Sequence, residues 1–142
     1  MGLVKALEPR KHWESIKMEY DIQIDFQLLG TEVLPEDISK KTGICPDVEM
    51  LKGVRNEELV LPRANIWAIR SQAKSDEVAD HWHELEKKLT NSAGVIKDIA
   101  RSGVAKLTII INSNQRLPSI IIPVSMSRFA GFIEAIIDVD HL

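Results

Sequence analysis

The sequence predicts an α+β fold in which helices pack on one face of a mainly antiparallel sheet, and three patterns predict it. From residue 16 to residue 28 every even position is apolar (Ile16, Met18, Tyr20, Ile22, Ile24, Phe26, Leu28), and every odd position between them is polar or charged. Successive side chains of a strand point to opposite faces, so this period of two describes one long strand with an oily and a wet side. Val78, Trp82, Leu85 and Leu89 recur at helical spacing. The runs 104–111 and 120–124 are dense in β-branched residues, which suit a pleated, half-buried surface.

The elements follow in order. The register of the first strand is fixed, because a slip of one residue would put every apolar group in water. Gly30-Thr31-Glu32 breaks it. Residues 35–41 then read as a short helix opened by Pro35 and stopped at Gly43, with Glu36 and Asp37 at its start and Lys40 and Lys41 at its end, as the helix dipole favours. Residues 46–65 show little periodicity beyond a short edge strand at 58–61 ended by Pro62. A connection of that length is commonly functional or mobile. Residues 66–71 read as a second core strand.

Ser75 or Asp76 is the expected cap of the helix that carries the Val78 stripe, whose opposite side is charged or histidine. Residues 91–94 interrupt it, and a second helical piece with Val95, Ile96 and Ile99 runs to Arg101 before Gly103 ends it. The strands 104–111 and 120–124, joined by the polar run 112–116, read as an antiparallel hairpin. Ser125 or Ser127 caps a last helix with Phe129, Phe132, Ile133 and Ile136 on one face, and 137–141 is a closing strand. From Trp67 onward the order is that of a ferredoxin-like βαββαβ unit, preceded by the extra long strand and the short helix.

The chain has 142 residues, is 44% hydrophobic and 27% charged, and carries a net charge of −3. One domain, 1–142, is expected, large enough to bury roughly two-thirds of its unfolded surface, with residues 1–15 as a partly disordered N-terminal extension. The acidic balance disfavours nucleic acid and anionic membrane surfaces and favours a basic protein partner. No stretch approaches the roughly 18 apolar residues of a membrane span. With a single cysteine, Cys45, no internal disulfide is available. The start of the chain lacks the apolar run of a signal peptide, so the cytoplasm is the expected compartment.

Candidate chemistry is sparse. In Asp80-His81-Trp82-His83-Glu84 the two histidines are two residues apart and project about 200° from each other on a helix, so they do not chelate one ion together. A solvated helical face is the expected reading, and no metal or cofactor is expected. Asp138 and Asp140 point the same way on the last strand, about 7 Å apart, and fit a cation or an acid/base pair or, more commonly, solubility and protection of an exposed edge. Cys45 reads as a small buried hydrophobe, and Trp67 and Trp82 as packing residues. Trp13, outside the periodic region, is a candidate interface anchor. Lys52-Gly53 places a cation beside a flexible turn in the long loop. No phosphate loop, nucleophile elbow, zincin helix or dinucleotide fingerprint is present.

The largest functional candidate is the wet side of the first strand. Glu19, Asp21 and Asp25 line it, and Asp138 and Asp140 add to it if they share that side, with Lys17 and Lys106 as the counter-charges. Such a field would speed capture of a cationic partner.

The core from Tyr20 to Asp140 resembles a bacterial family known as domain of unknown function 4279. The resemblance is carried by Phe26-Gln27-Leu28-Leu29-Gly30, Leu34-Pro35-Glu36-Asp37-Ile38, Thr42-Gly43-Ile44-Cys45-Pro46, Lys52-Gly53, the strand around Trp67, a charged amphipathic helix, a hairpin and the terminal Ile137-Asp138-Val139-Asp140. Ala135 departs from the family-like pattern, which has glycine there, and the stretch before Tyr20 reads as an addition. The resemblance implies a fold and a bacterial setting but no reaction. The expected function is therefore a non-enzymatic protein-binding module, in its narrowest form an immunity-type protein that neutralises a basic toxin domain through Asp21, Asp25, Lys52, Asp138 and Asp140. The alternative is a small-molecule or metal site, or an unfamiliar enzyme, in a pocket between the sheet and the 46–65 loop.

Overall fold

The structure, a computed structural model, describes residues 21–113 and 119–142. The start of the alternating run (Ile16 to Tyr20), the extension 1–15 with Trp13, and Lys17 and Glu19 lie outside the described residues.

Five strands, β1 (Ile22–Leu29), β2 (Val48–Met50), β3 (Ile66–Arg70), β4 (Val104–Ile111) and β5 (Ile136–His141), form one sheet in the order β2-β3-β1-β4-β5. The central strand β1 runs antiparallel to both neighbours, with Phe26 opposite Ile69 on one side and Leu107 on the other. Among these described strands only β4 and β5 are parallel. The described helices are α1 (Pro35–Thr42), α2 (Val78–Leu89), α3 (Ala93–Ala100), joined to α2 by a 3₁₀ turn, and α4 (Val124–Ile133). This is the α+β architecture that the patterning predicts.

The alternation of β1 is obeyed in the core. Ile22, Ile24, Phe26 and Leu28 are all buried, in one cluster with Trp67, Ile69, Leu107 and Ile109 from the sheet and Ile38, Trp82, Leu85, Leu89, Ile96 and Met126 from the helices. All four described helices therefore bury their apolar stripes on the same sheet face. Phe26 stacks edge-on against Trp67 at 6.5 Å and Phe129 at 5.9 Å, contacts that contribute about 0.5–1.5 kcal/mol each beyond their buried area.

Local signals place the helices. Pro35 opens α1, and Gly43 at φ +70° closes it by donating its backbone N–H to the Ser39 carbonyl. Gly103, between α3 and β4, sits so close to the Leu29 carbonyl that an added Cβ would overlap it. Glycine is required there by approach rather than by turn conformation.

Four expectations are corrected. The hairpin is absent: 119–123 is not a strand, Ile121 is 71% exposed and Val124 already opens α4. Pro123 has no N–H for a ladder, and the place beside β4 is taken by β5, reached through α4 as a parallel crossover. The described residues thus do not complete the βαββαβ order. The edge strand of the long loop is Val48–Met50 rather than 58–61, where only an isolated bridge joins Asn56 and Leu61. Glu77, not Ser75 or Asp76, occupies the cap position of α2, and Pro123 that of α4. Finally, α4 buries Met126, Ala130 and Ile133, while Phe132 faces solvent under the Lys97 ammonium, 4.5 Å from the ring centre.

Candidate functional site

The second face of the sheet carries the odd positions of β1. Asp25 lies opposite Arg70 of β3 and Thr108 of β4, and Thr108 lies opposite Asp138 of β5, so the four form one row across the sheet. Its centre is dry. Asp25 is 0% exposed, with its Oδ1 at 3.7 Å from Arg70 Nε and accepting from Gln23 Nε2 at 3.0 Å. Gln27, Thr108 and Arg70 are also buried. The Asp47 carboxylate accepts the Arg70 backbone N–H at 2.6 Å, tying the chain before β2 to the end of β3. Beside this row Val48, Ile66 and Ala68 form a small apolar cluster.

This corrects the wet acidic face. Asp25 belongs to a buried ion pair and presents nothing to a partner. Asp21 is half-buried, and its backbone N–H donates to the Asp76 carboxylate. Asp138 and Asp140 do share a side of β5, as their spacing requires, but Asp138 is countered by Lys106 at 3.6 Å and both are half-buried. A period of two states which side chains share a face; it does not state whether that face meets water.

The histidines separate. His83 is exposed and lies 3.5 Å from Glu86, as a solvated helical face would have it. His81, expected on that face, is buried instead. Its Nε2 lies 2.6 Å from the Ser75 carbonyl oxygen, which only accepts, so this nitrogen carries the proton. Its Nδ1 shares a hydrogen bond with Ser71 Oγ at 2.6 Å, and Ser71 Oγ in turn accepts the Ile24 N–H at 2.8 Å. Both ring nitrogens and the Ser71 hydroxyl are engaged in this relay, and the arrangement clasps α2, the loop before it and β1 together. Ser71 is buried and fully engaged, so the pair reads as a fastener rather than a nucleophile and base. The metal reading gains no support: no group of three His, Cys, Asp or Glu able to hold an ion occurs among the described residues. Cys45, expected inside, is exposed.

The 46–65 segment is ordered by its own hydrogen bonds. Gly53 N–H donates to Pro62 O, Arg55 N–H to Leu61 O, Leu61 N–H to Asn56 O, and Leu59 N–H to the Asn56 side chain. The loop is thus a narrow double track with its base at Lys52 and Arg63 and its tip at Glu57 and Glu58. Four apolar side chains stand out from it: Leu51 (48% exposed), Val54 (60%), Leu59 (54%) and Val60 (39%). Val60 also has φ +52°, a left-handed conformation that is a real outlier for a β-branched residue and costs roughly 1–3 kcal/mol. Among the described residues, none of Lys52, Glu57, Glu58 and Arg63 has an ion-pair partner. Sequence reading picked out Lys52 but missed the apolar set, for which Leu59-Val60 inside a charged turn was the available signal.

Fold and surface together define a small α+β protein with one helix-covered sheet face, a second face closed by a buried ion pair, and a hydrogen-bonded loop that exposes apolar groups. No described helix is long and apolar enough to cross a membrane. The chain belongs to the family described as domain of unknown function (DUF4279), whose model matches residues 4–142. The match takes in the stretch before Tyr20, which is therefore part of the family pattern rather than an addition. No curated protein and no solved structure matches the chain.

Proposed function

We propose that this protein is a non-enzymatic protein-binding module whose working surface is the loop from Leu51 to Arg63. The observation that carries the reading is the exposure of Leu51, Val54, Leu59 and Val60 on a loop held by its own backbone hydrogen bonds. Apolar groups in water contribute nothing to folding, and a preorganised loop loses little entropy when a partner covers it. An apolar centre with a charged rim is also the usual anatomy of a protein interface.

The immunity-type role against a basic toxin domain is a narrower form of the same reading. In it, Asp138 and Asp140 supply the remaining carboxylates toward partner cations, and Asp25 supplies none.

The test compares immobilised full-length protein with the Val54→Asp/Leu59→Asp double variant, after circular dichroism has shown both folded. The reading predicts a protein retained in stoichiometric amount by the wild type, the chain itself included, and lost by the variant. Equal retention by both would remove the loop as the working surface. Reversing Asp138 and Asp140 to Lys tests the narrower form, which requires a cationic partner to be released.

A further inference from the structure

Resting on the reading of the loop as a binding surface, we infer that it docks on the same loop of a second copy of this chain, in a two-fold symmetric contact. Charge is distributed unevenly along the double track. Lys52 and Arg63 mark its base, where Gly53 N–H meets Pro62 O at 2.8 Å and Lys52 N–H meets the Asn65 side chain at 2.8 Å. Glu57 and Glu58 mark its tip, in the turn closed by Val60 N–H on Glu57 O. Lys52, Arg63, Glu57 and Glu58 are exposed, and none of them is in an ion pair among the described residues, while the fifth charge of the loop, the half-buried Arg55 between the poles, is engaged within the protein.

The loop is therefore a charge dipole, positive at its root and negative at its end, with Leu51, Val54, Leu59 and Val60 between and around the two poles. A two-fold axis perpendicular to such a loop lays two copies antiparallel. The tip of each then meets the root of the other, Glu57 and Glu58 against Lys52 and Arg63, and the apolar side chains cover one another. A partner with a uniformly basic surface would satisfy the tip and repel the root. A second copy satisfies both, which is the self-complementarity an isologous contact demands.

The experiment is a charge swap on the full chain read by sedimentation equilibrium. One variant, Lys52→Glu/Arg63→Glu, has both poles negative; the other, Glu57→Lys/Glu58→Lys, has both positive. The wild type is expected to dimerise, and each variant alone to self-associate more weakly by on the order of tenfold or more. An equimolar mixture of the two variants is expected to recover dimer, because each tip again meets an opposite root. That recovery also shows that neither variant had simply failed to fold. The salt dependence should be steeper for the mixture than for the wild type, because it pairs a wholly negative loop with a wholly positive one and salt screens that attraction. A wild type that is monomeric up to about 1 mM, or variants that fail to recover on mixing while the wild type dimerises, overturns the inference. Should the wild type stay monomeric while the immobilised protein retains a different partner through Val54 and Leu59, the self-association fails and the binding-surface reading stands. Monomer with no retained protein overturns both.

Discussion

The two faces of β1 are built from one alternating stretch of sequence and reach burial by opposite chemistry. Ile24, Phe26 and Leu28 lie under the helices and need nothing but volume to be satisfied. Asp25, one residue away and equally dry, needs Arg70 and Gln23 around its carboxylate. The apolar face tolerates imperfect partners, since a missing contact costs only its area and its cavity. The polar face does not, because a buried charge that loses its partner carries its full desolvation cost. Polar letters in a strand therefore mark a face that is more demanding, and not of necessity a face that is wet.

The largest test of that contrast places the two faces side by side. Asp25→Ala should cost about 3–5 kcal/mol in urea unfolding, since it leaves the Arg70 guanidinium buried beside a void. That matches the 3–5 kcal/mol or so expected for Phe26→Ala on the other face. An Asp25→Ala loss within about 0.5 kcal/mol, the ordinary surface value, would return that carboxylate to water and break the comparison.

A double-mutant cycle on Asp25 and Arg70 sharpens it, with an expected coupling of about 0.5–3 kcal/mol; additivity of the two single losses would separate the pair.

Next in size is the clasp, which transfers the same logic to a helix. His81→Ala strands the Ser71 hydroxyl and the Ser75 carbonyl and should cost roughly 1–3 kcal/mol for each group left unmet, whereas His83→Ala should change stability by no more than about 0.5 kcal/mol. Equal effects at the two histidines would contradict the burial of His81. A small effect also belongs to the half-exposed pair of Lys106 and Asp138, where Lys106→Gln should lower stability by about 1 kcal/mol at most, and less in high salt.

Much of the fold was legible because it is written in local periods. The β1 alternation, the Val78-Trp82-Leu85-Leu89 stripe and the Pro35-to-Gly43 helix are each fixed by residues a turn or two apart. The hairpin was misread because 120–124 has the composition of a strand, whereas strand formation needs a free neighbour, and β5 occupies that place. Of the site, Lys52 and the shared side of Asp138 and Asp140 were readable. Arg70, Ser71 and His81 were not: Asp25 meets Arg70 across 45 residues and Ser71 meets His81 only because the chain between them turns back.

The sequence alone determined the first strand, the Pro35-to-Gly43 helix and the Val78-Trp82-Leu85-Leu89 stripe, with the oily side of each, since these follow from the pitch of a backbone that every residue shares. Tertiary structure alone decided that Asp25 and His81 are dry, that Cys45 is wet and that β5 lies parallel to β4. Access to water is set by what comes to rest over a side chain, and that is a property of distant segments meeting rather than of any neighbour in the chain.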